Sequence, residues 1–246
     1  MQRGPRWLAE RRGNHYMTWH DGPMQSWYDI HEALRNEFPR LRKMASEASL
    51  DDKDGLAALS DEVVFLSDVL TVHSLSEDGV GFPILRHRGI GVPAALSEDH
   101  LRELAAAYGI RQACLELRFH DAGQDVSPAL ARVRKLLEEM EADLDRHIDS
   151  EDEHIIPQAA AKLTPAEQAQ LVVKMVAHTP AWLGPRLLPW MIAKITREHR
   201  VHLLKAWHQS MPAAVFAEKA RHIRDGSDAA LWNDLAAEIP DLAKLD

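Results

Sequence analysis

One pattern occurs twice in this chain: an apolar helical stripe that ends in a histidine, three further residues and a glutamate. The two copies are His73 with Glu77 and His147 with Glu151. When the histidines are aligned, Ser-Glu-Asp follows each of them at the same distance, and so does a later proline. We therefore interpret this region as a duplicated pair of helices. The matched upstream apolar pairs are Leu70 with Leu144, Leu66 with Met140, Val63 with Leu137, and Leu59 with Val133.

Apolar residues recur at helical spacing along most of the chain, and sustained two-residue alternation is nearly absent. The predicted fold class is therefore all-α. Four long helices with short links are typical of an antiparallel up-down four-helix bundle. Gly79, Gly81 and Pro83 are expected to end the second helix. The predicted starts of the four helices are Pro23, Ser60, Ser97 and Ser127.

The pattern changes after Pro157, where the chain becomes rich in alanine and tryptophan and has no second stripe of charged residues. We expect an N-terminal tail at 1–22, the bundle at 23–160, and a helical extension at 161–246 that packs on the bundle. The predicted caps of the helices in this extension are Thr164, Thr196 and Ser227.

The spacing within each motif suits metal binding. Residues four apart lie one above the other on a helix, so His73 and Glu77 can ligate a common centre. An ionised carboxylate buried without a partner is strongly unfavourable, so inward-facing glutamates need a positive charge between them. Imidazole and carboxylate together suit iron, manganese or zinc. Each motif helix also follows a helix with a histidine on its own stripe. The predicted metal ligands are His31, His73, Glu77, His100, His147 and Glu151.

Three further histidines resemble ligands but are expected to have other roles. His154 extends the stripe of the fourth helix, yet Val80 stands at the equivalent place in the repeat, so we expect a boundary residue. His199 and His202 have the spacing of a metal-binding pair, and we expect them on a solvated helix face.

Charge and cysteine content exclude other classes. A net charge of −9 argues against a nucleic-acid binder, which needs a clustered basic surface. Cys114 is the single cysteine, so one chain cannot form a disulfide framework. We find no signal-peptide pattern and no apolar run of about 20 residues, and therefore expect a cytoplasmic protein without a membrane partner.

The order of these motifs resembles that of the hemerythrin-like HHE cation-binding domains. That family has a histidine on the first and third helices and His-x-x-x-Glu on the second and fourth. The likeness covers roughly residues 23 to 160. The stretch from 187–191 to 211–216 also resembles the segment after such domains in bacterial proteins and plant iron-sensing ubiquitin ligases. The resemblance implies an oxo- or hydroxo-bridged pair of iron ions, with manganese or zinc as substitutes, that meets dioxygen, peroxide or nitric oxide.

The chain departs from the family in two places. Many relatives have a carboxylate or histidine directly after each motif histidine, where this chain has Ser74 and Ile148. Oxygen-carrying hemerythrins have an additional histidine on the third helix, where Arg111 and Cys114 occupy the later turns. Two bridging glutamates, a bridging oxygen and two histidines per iron leave one open position on each six-coordinate ion. Open positions permit chemistry, which favours redox reactivity over transport.

Three functions remain open at this stage. The favoured one is a non-haem di-iron redox enzyme of the oxidase or oxygenase type. The alternative is an oxygen- or iron-binding sensor or carrier of the hemerythrin type without turnover. The third is a metal-free helical interaction module. The sequence indicates no organic substrate, catalytic side chain or protein partner.

Overall fold

The computed structural model describes residues 22–121 and 123–245. Within these residues it is helical with no strand, which confirms the predicted all-α class. The predicted tail, residues 1–22, lies outside the described residues except for Gly22. None of the described helices is both long enough and apolar enough to cross a membrane.

Eleven α-helices are described. They are α1 (Gln25–Glu47), α2 (Lys53–Ser76), α3 (Phe82–His87), α4 (Ala94–Arg118), α5 (Ser127–Ser150), α6 (Ile156–Lys162), α7 (Pro165–Val176), α8 (Gly184–Lys194), α9 (Arg197–Ser210), α10 (Ala213–Gly226) and α11 (Ala229–Glu238).

These helices belong to two compact units. Among the described residues, one unit comprises 37–179, and the other comprises 22–36 together with 180–245. The division falls inside α1, which contributes its first half to one unit and its second half to the other. The boundaries expected from the sequence, 23–160 and 161–246, stay a prediction.

The unit of residues 37–179 is built on the duplicated stripes. Helix α2 packs on α4, and α4 packs on α5. All eight paired apolar positions of the repeat are at most 3% exposed, so both stripes face the core. The Arg134 guanidinium donates from Nε to the Ala45 carbonyl at 2.8 Å, which joins α5 to the second half of α1.

Two of the predicted helix starts are wrong. Helix α2 begins about two turns before Ser60, because the Asp52 carboxylate accepts a hydrogen bond from the Gly55 N–H at 2.9 Å and caps the helix. Ser60 is instead buried in α2 and donates to the Leu56 carbonyl. Helix α4 begins at Ala94, and the Ser97 hydroxyl donates to Asp78 at 2.5 Å.

The second helix does not end where Gly79, Gly81 and Pro83 were expected to stop it. A π-helical turn, Glu77–Gly81, continues α2 directly into α3. The same happens at the end of α5, where the π-helical turn Glu151–Ile155 leads into α6. A proline has no N–H for the usual bond four residues back, so the backbone widens ahead of Pro83 and Pro157. The repeat therefore includes the backbone after each motif.

The unit of residues 22–36 and 180–245 has its own core. Apolar side chains of α8 to α11 pack around Ile192, Leu203 and Ile223, together with Ala33 of α1. The Thr196 hydroxyl accepts from the His199 N–H and caps α9, as predicted. Asp228, and not the predicted Ser227, caps α11.

Candidate metal centre

Five of the six predicted ligands lie in the unit of residues 37–179, and all five are buried. Their exposed fractions are between 0 and 6%. Each motif glutamate is the first residue of a π-helical turn, one helical turn after its histidine. π-Helical turns occur often at functional sites. The five residues are His73, Glu77, His100, His147 and Glu151.

Four of these side chains converge on one point. One potential ligand atom from each of Glu77, His100, His147 and Glu151 lies within 4.8 Å of the other three. His100 Nε2 is 3.1 Å from Glu77 Oε2, and His147 Nε2 is 3.3 Å from Glu151 Oε1. His73 Nδ1 approaches the other oxygen of Glu77, Oε1, at 3.4 Å. Glu77 therefore has one oxygen toward each of two histidines.

His100 is held in place by groups behind it. Its Nδ1 lies 2.9 Å from Asp78 Oδ2, and its ring stacks on Phe82 with centroids 5.5 Å apart. The Ser97 hydroxyl in turn donates to Asp78. A ligating histidine usually donates its second N–H to a carboxylate, which fixes its tautomer and leaves the other nitrogen for the metal. Asp78 is positioned to do this and leaves Nε2 toward Glu77.

The protonation of the two histidines reflects the surrounding carboxylates. Burial lowers the pKa of His100, but its hydrogen bond and charge interaction with Glu77 outweigh burial and raise the pKa to about 9. For His147, burial also lowers the pKa, and the neighbouring carboxylate of Glu151 raises it above its usual value. The pocket is therefore strongly attractive to cations, whether protons or metal ions.

Glu103 is a site residue that sequence reasoning missed. It lies on α4, one turn after His100, is 5% exposed, and has its Oε1 3.7 Å from His147 Nδ1. Burial raises the pKa of Glu103 to about 7, against the opposing charges of His147 and His100. Its three-residue spacing from His100 was the available signal, because such residues share a helix face.

The buried polar atoms fit a metal better than a hydrogen-bonded network. Within the described residues, the ring nitrogens of His147 and both carboxylate oxygens of Glu103 make no hydrogen bond. Buried polar atoms are nearly always paired, and exceptions call for an explanation such as a missing ion. Nitrogen and carboxylate oxygen are the donors that iron, manganese and zinc accept. The residues therefore fit the metal that the sequence implies.

The other histidines are placed as follows. His31 is buried on the first half of α1, in the unit of residues 22–36 and 180–245, and its role as a ligand stays a prediction. His154 is exposed. The expectation of a solvated face is wrong for His199, which is 1% exposed. The reason is that His199 precedes the buried Leu203 by one turn on the core face of α9.

Comparison with known proteins identifies the same region. The family model described as the hemerythrin HHE cation-binding domain matches residues 23–159. The zinc finger protein BRUTUS of Arabidopsis thaliana is 24% identical over 186 residues, which is 74% of this chain and 14% of that protein. A BRUTUS-like zinc finger protein of the same plant is 26% identical over 186 residues, again 74% of this chain and 15% of the relative. This chain therefore spans about one-seventh of each relative. No solved structure matches it.

Proposed function

Because the chain belongs to the hemerythrin HHE cation-binding family, we propose that it holds two iron ions and that this centre reacts with dioxygen, peroxide or nitric oxide as a redox enzyme. The convergence of Glu77, His100, His147 and Glu151 carries the proposal. The ions would be held by Glu77 and Glu151 together with His73, His100 and His147. We include His31 as the sixth ligand for two reasons. It is the histidine that the motif order requires on the first helix, and it lies within the residues that the family model matches.

The chain's own residues control the access of water and the charge at the site. Leu66, Leu70 and Leu144, all at most 2% exposed, surround the motif positions with apolar side chains. A low-dielectric surrounding strengthens every electrostatic interaction inside it. Asp78 holds the ring of His100 and its tautomer, while Glu77 and Glu151 neutralise the positive charge of the ions. When bound, the iron pair supplies the electrons for reduction of a small oxidant.

The position of Glu103 favours oxidation of bound iron over reversible binding of a small ligand. With Glu103 beside His147, the pocket has three carboxylates as well as its histidines. A nearby negative charge stabilises the ferric state more than the ferrous state, because the ion with the higher charge gains more from it. The carboxylate of Glu103 beside His147 would therefore favour oxidation of bound iron over reversible ligand binding.

The test is rapid mixing of anaerobically reduced, iron-loaded protein with oxygenated buffer, followed through the visible charge-transfer bands. We expect complete conversion to the diferric spectrum, and consumption of more than one equivalent of oxygen when a reductant is present. A spectrum that returns to that of the reduced protein on flushing with argon would indicate a carrier or sensor and contradict the enzyme proposal.

A further inference from the structure

A second group of buried metal-binding side chains lies away from the predicted ligands. Asp29 and Glu32 of α1 and His199 of α9 are 0, 8 and 1% exposed. All three belong to the unit of residues 22–36 and 180–245. One potential ligand atom from each lies within 4.8 Å of the other two.

The three side chains face one another closely. His199 Nδ1 is 2.5 Å from Glu32 Oε2 and 3.4 Å from Asp29 Oδ1. Each carboxylate also accepts a hydrogen bond from another group of the protein. The Thr196 backbone N–H donates to Glu32 Oε1, and the Gln25 amide donates to Asp29 Oδ1, both at 2.9 Å. The carboxylate oxygens are therefore oriented before any ion binds.

One oxygen of this group is not used by the protein. Asp29 is fully buried, and within the described residues its Oδ2 makes no hydrogen bond. A buried carboxylate oxygen without a donor is costly unless a cation lies against it. The group has two carboxylates and a single imidazole. A divalent cation would neutralise both while His199 stays neutral.

Helix geometry distinguishes Asp29 and Glu32 from the predicted ligand His31, which lies on the same helix. Asp29 and Glu32 are three residues apart and share one face of α1. His31 follows Asp29 by two residues, and residues two apart do not face the same way on a helix. The ligands of the two sites therefore lie on different sides of α1, and His199 comes from a helix that contributes nothing to the bundle motif.

We propose that Asp29, Glu32 and His199 form a second, mononuclear site for a divalent transition-metal ion. One imidazole and two carboxylates suit zinc, manganese or ferrous iron rather than calcium or a metal that prefers thiolate. Three protein ligands leave a fourth position for water in a tetrahedral site. The ion ties the start of α1 to the first turn of α9 and stabilises this unit.

The test measures zinc binding in the 246-residue chain. Because the bundle also binds metal, the first protein carries His73→Ala and His147→Ala, and it is titrated with zinc against a competing chelator. We expect about one zinc ion per chain, as for a single structural or catalytic site. Addition of Asp29→Asn, which keeps the size and the hydrogen bond from Gln25, lowers the affinity at least about tenfold.

His202→Ala is the matched control, because His202 lies on α9 one turn after His199 and outside the group. It should leave zinc affinity unchanged. Should the double-alanine protein fail to fold by circular dichroism, the wild type and the Asp29→Asn variant are compared directly, and the variant should bind one zinc ion fewer with its iron content unchanged. The proposal is overturned if Asp29→Asn binds as much zinc, as tightly, as its parent, which is the result expected of a hydrogen-bonded ion pair without metal.

Discussion

At the residue scale, the buried glutamates and histidines of the two motifs require a bound cation. The reason is physical: a histidine and a glutamate one turn apart on an apolar stripe are rarely both tolerated in a core without a metal. Glu103 was missed because a single glutamate on a helix is usually solvated. His199 was expected on a solvated face because its neighbours Arg197 and Glu198 are charged. It is buried because it lies on the same face of α9 as Leu203, which packs in the core.

The first prediction concerns the ligand His147. His147→Ala removes a buried nitrogen that faces Glu151, and we expect the iron content of the purified protein to fall at least about tenfold. His154→Ala is the matched control, since His154 follows on the same continuous helix and is exposed. Elemental analysis of both variants is the measurement. Equal losses of iron would place the centre on other residues.

The second prediction concerns Glu103. A carboxyl whose folded pKa is raised to about 7 destabilises the metal-free protein at pH 8, because it must ionise while buried. Glu103→Gln removes the cost of ionising a buried carboxyl. The free energy of unfolding of the chelated variant should therefore be about 1–3 kcal/mol higher than that of the chelated wild type. When both proteins are loaded with iron, the wild type should have the higher free energy of unfolding. Urea unfolding at pH 8 measures both, and destabilisation of the chelated variant would contradict the prediction.

At the element scale, the sequence predicted which segments are helical better than where they end. The sequence predicted Ser60 as the start of the second helix, but Asp52 caps α2 at an earlier position. Pro83 and Pro157 were expected to end helices, and they are instead accommodated by π-helical turns at Glu77–Gly81 and Glu151–Ile155. A proline signals only that one backbone hydrogen bond is lost. It does not show whether the helix stops or widens.

The third prediction concerns these turns. Pro157→Ala restores an N–H and allows the regular helix to continue, which rotates Glu151 relative to His147. We expect iron to dissociate about tenfold faster on dialysis against a chelator, by analogy with the loss of other residues that orient ligands. Pro165→Ala is the control, because Pro165 is at the start of α7 and does not directly follow such a turn. Identical iron release from the two variants would show that the turn does not position the ligand.

At the scale of the whole molecule, helical periodicity was enough to predict an all-α chain, but it could not predict the two units. The first half of α1 belongs with residues 180–245, and no local pattern in residues 22–36 indicates this pairing. Contacts between segments so far apart depend on the fit of side-chain surfaces and leave no periodic signal. The same long-range pairing brings Glu32 to His199, which is why the second site could not be found from the sequence.

The fourth prediction concerns metal removal and pH. The raised pKa of His100, about 9, stabilises the metal-free protein below pH 6.5, and this contribution is lost as the pH rises through 9. The raised pKa of Glu103 acts in the same direction between about 4.5 and 7. Metal binding requires deprotonated ligands and strengthens as the pH rises.

The difference in Tm between iron-loaded and chelated protein should therefore be larger at pH 8.5 than at pH 6.5, by several degrees. Thermal unfolding followed by circular dichroism at both pH values is the measurement, with preloaded protein so that free iron is absent. A difference that shrinks as the pH rises would contradict the assignment of these buried groups to a metal.

The most direct test of the central claim is the iron content of the 246-residue protein from iron-replete cells, combined with its visible and magnetic spectra. The measurement is repeated on Asp29→Asn so that iron in the second site is not counted. In Asp29→Asn the dinuclear centre predicts about two iron ions per chain, and in both proteins it predicts magnetic coupling between the two ferric ions. At most one iron per chain, or two ions without coupling, would contradict a dinuclear centre built on Glu77 and Glu151.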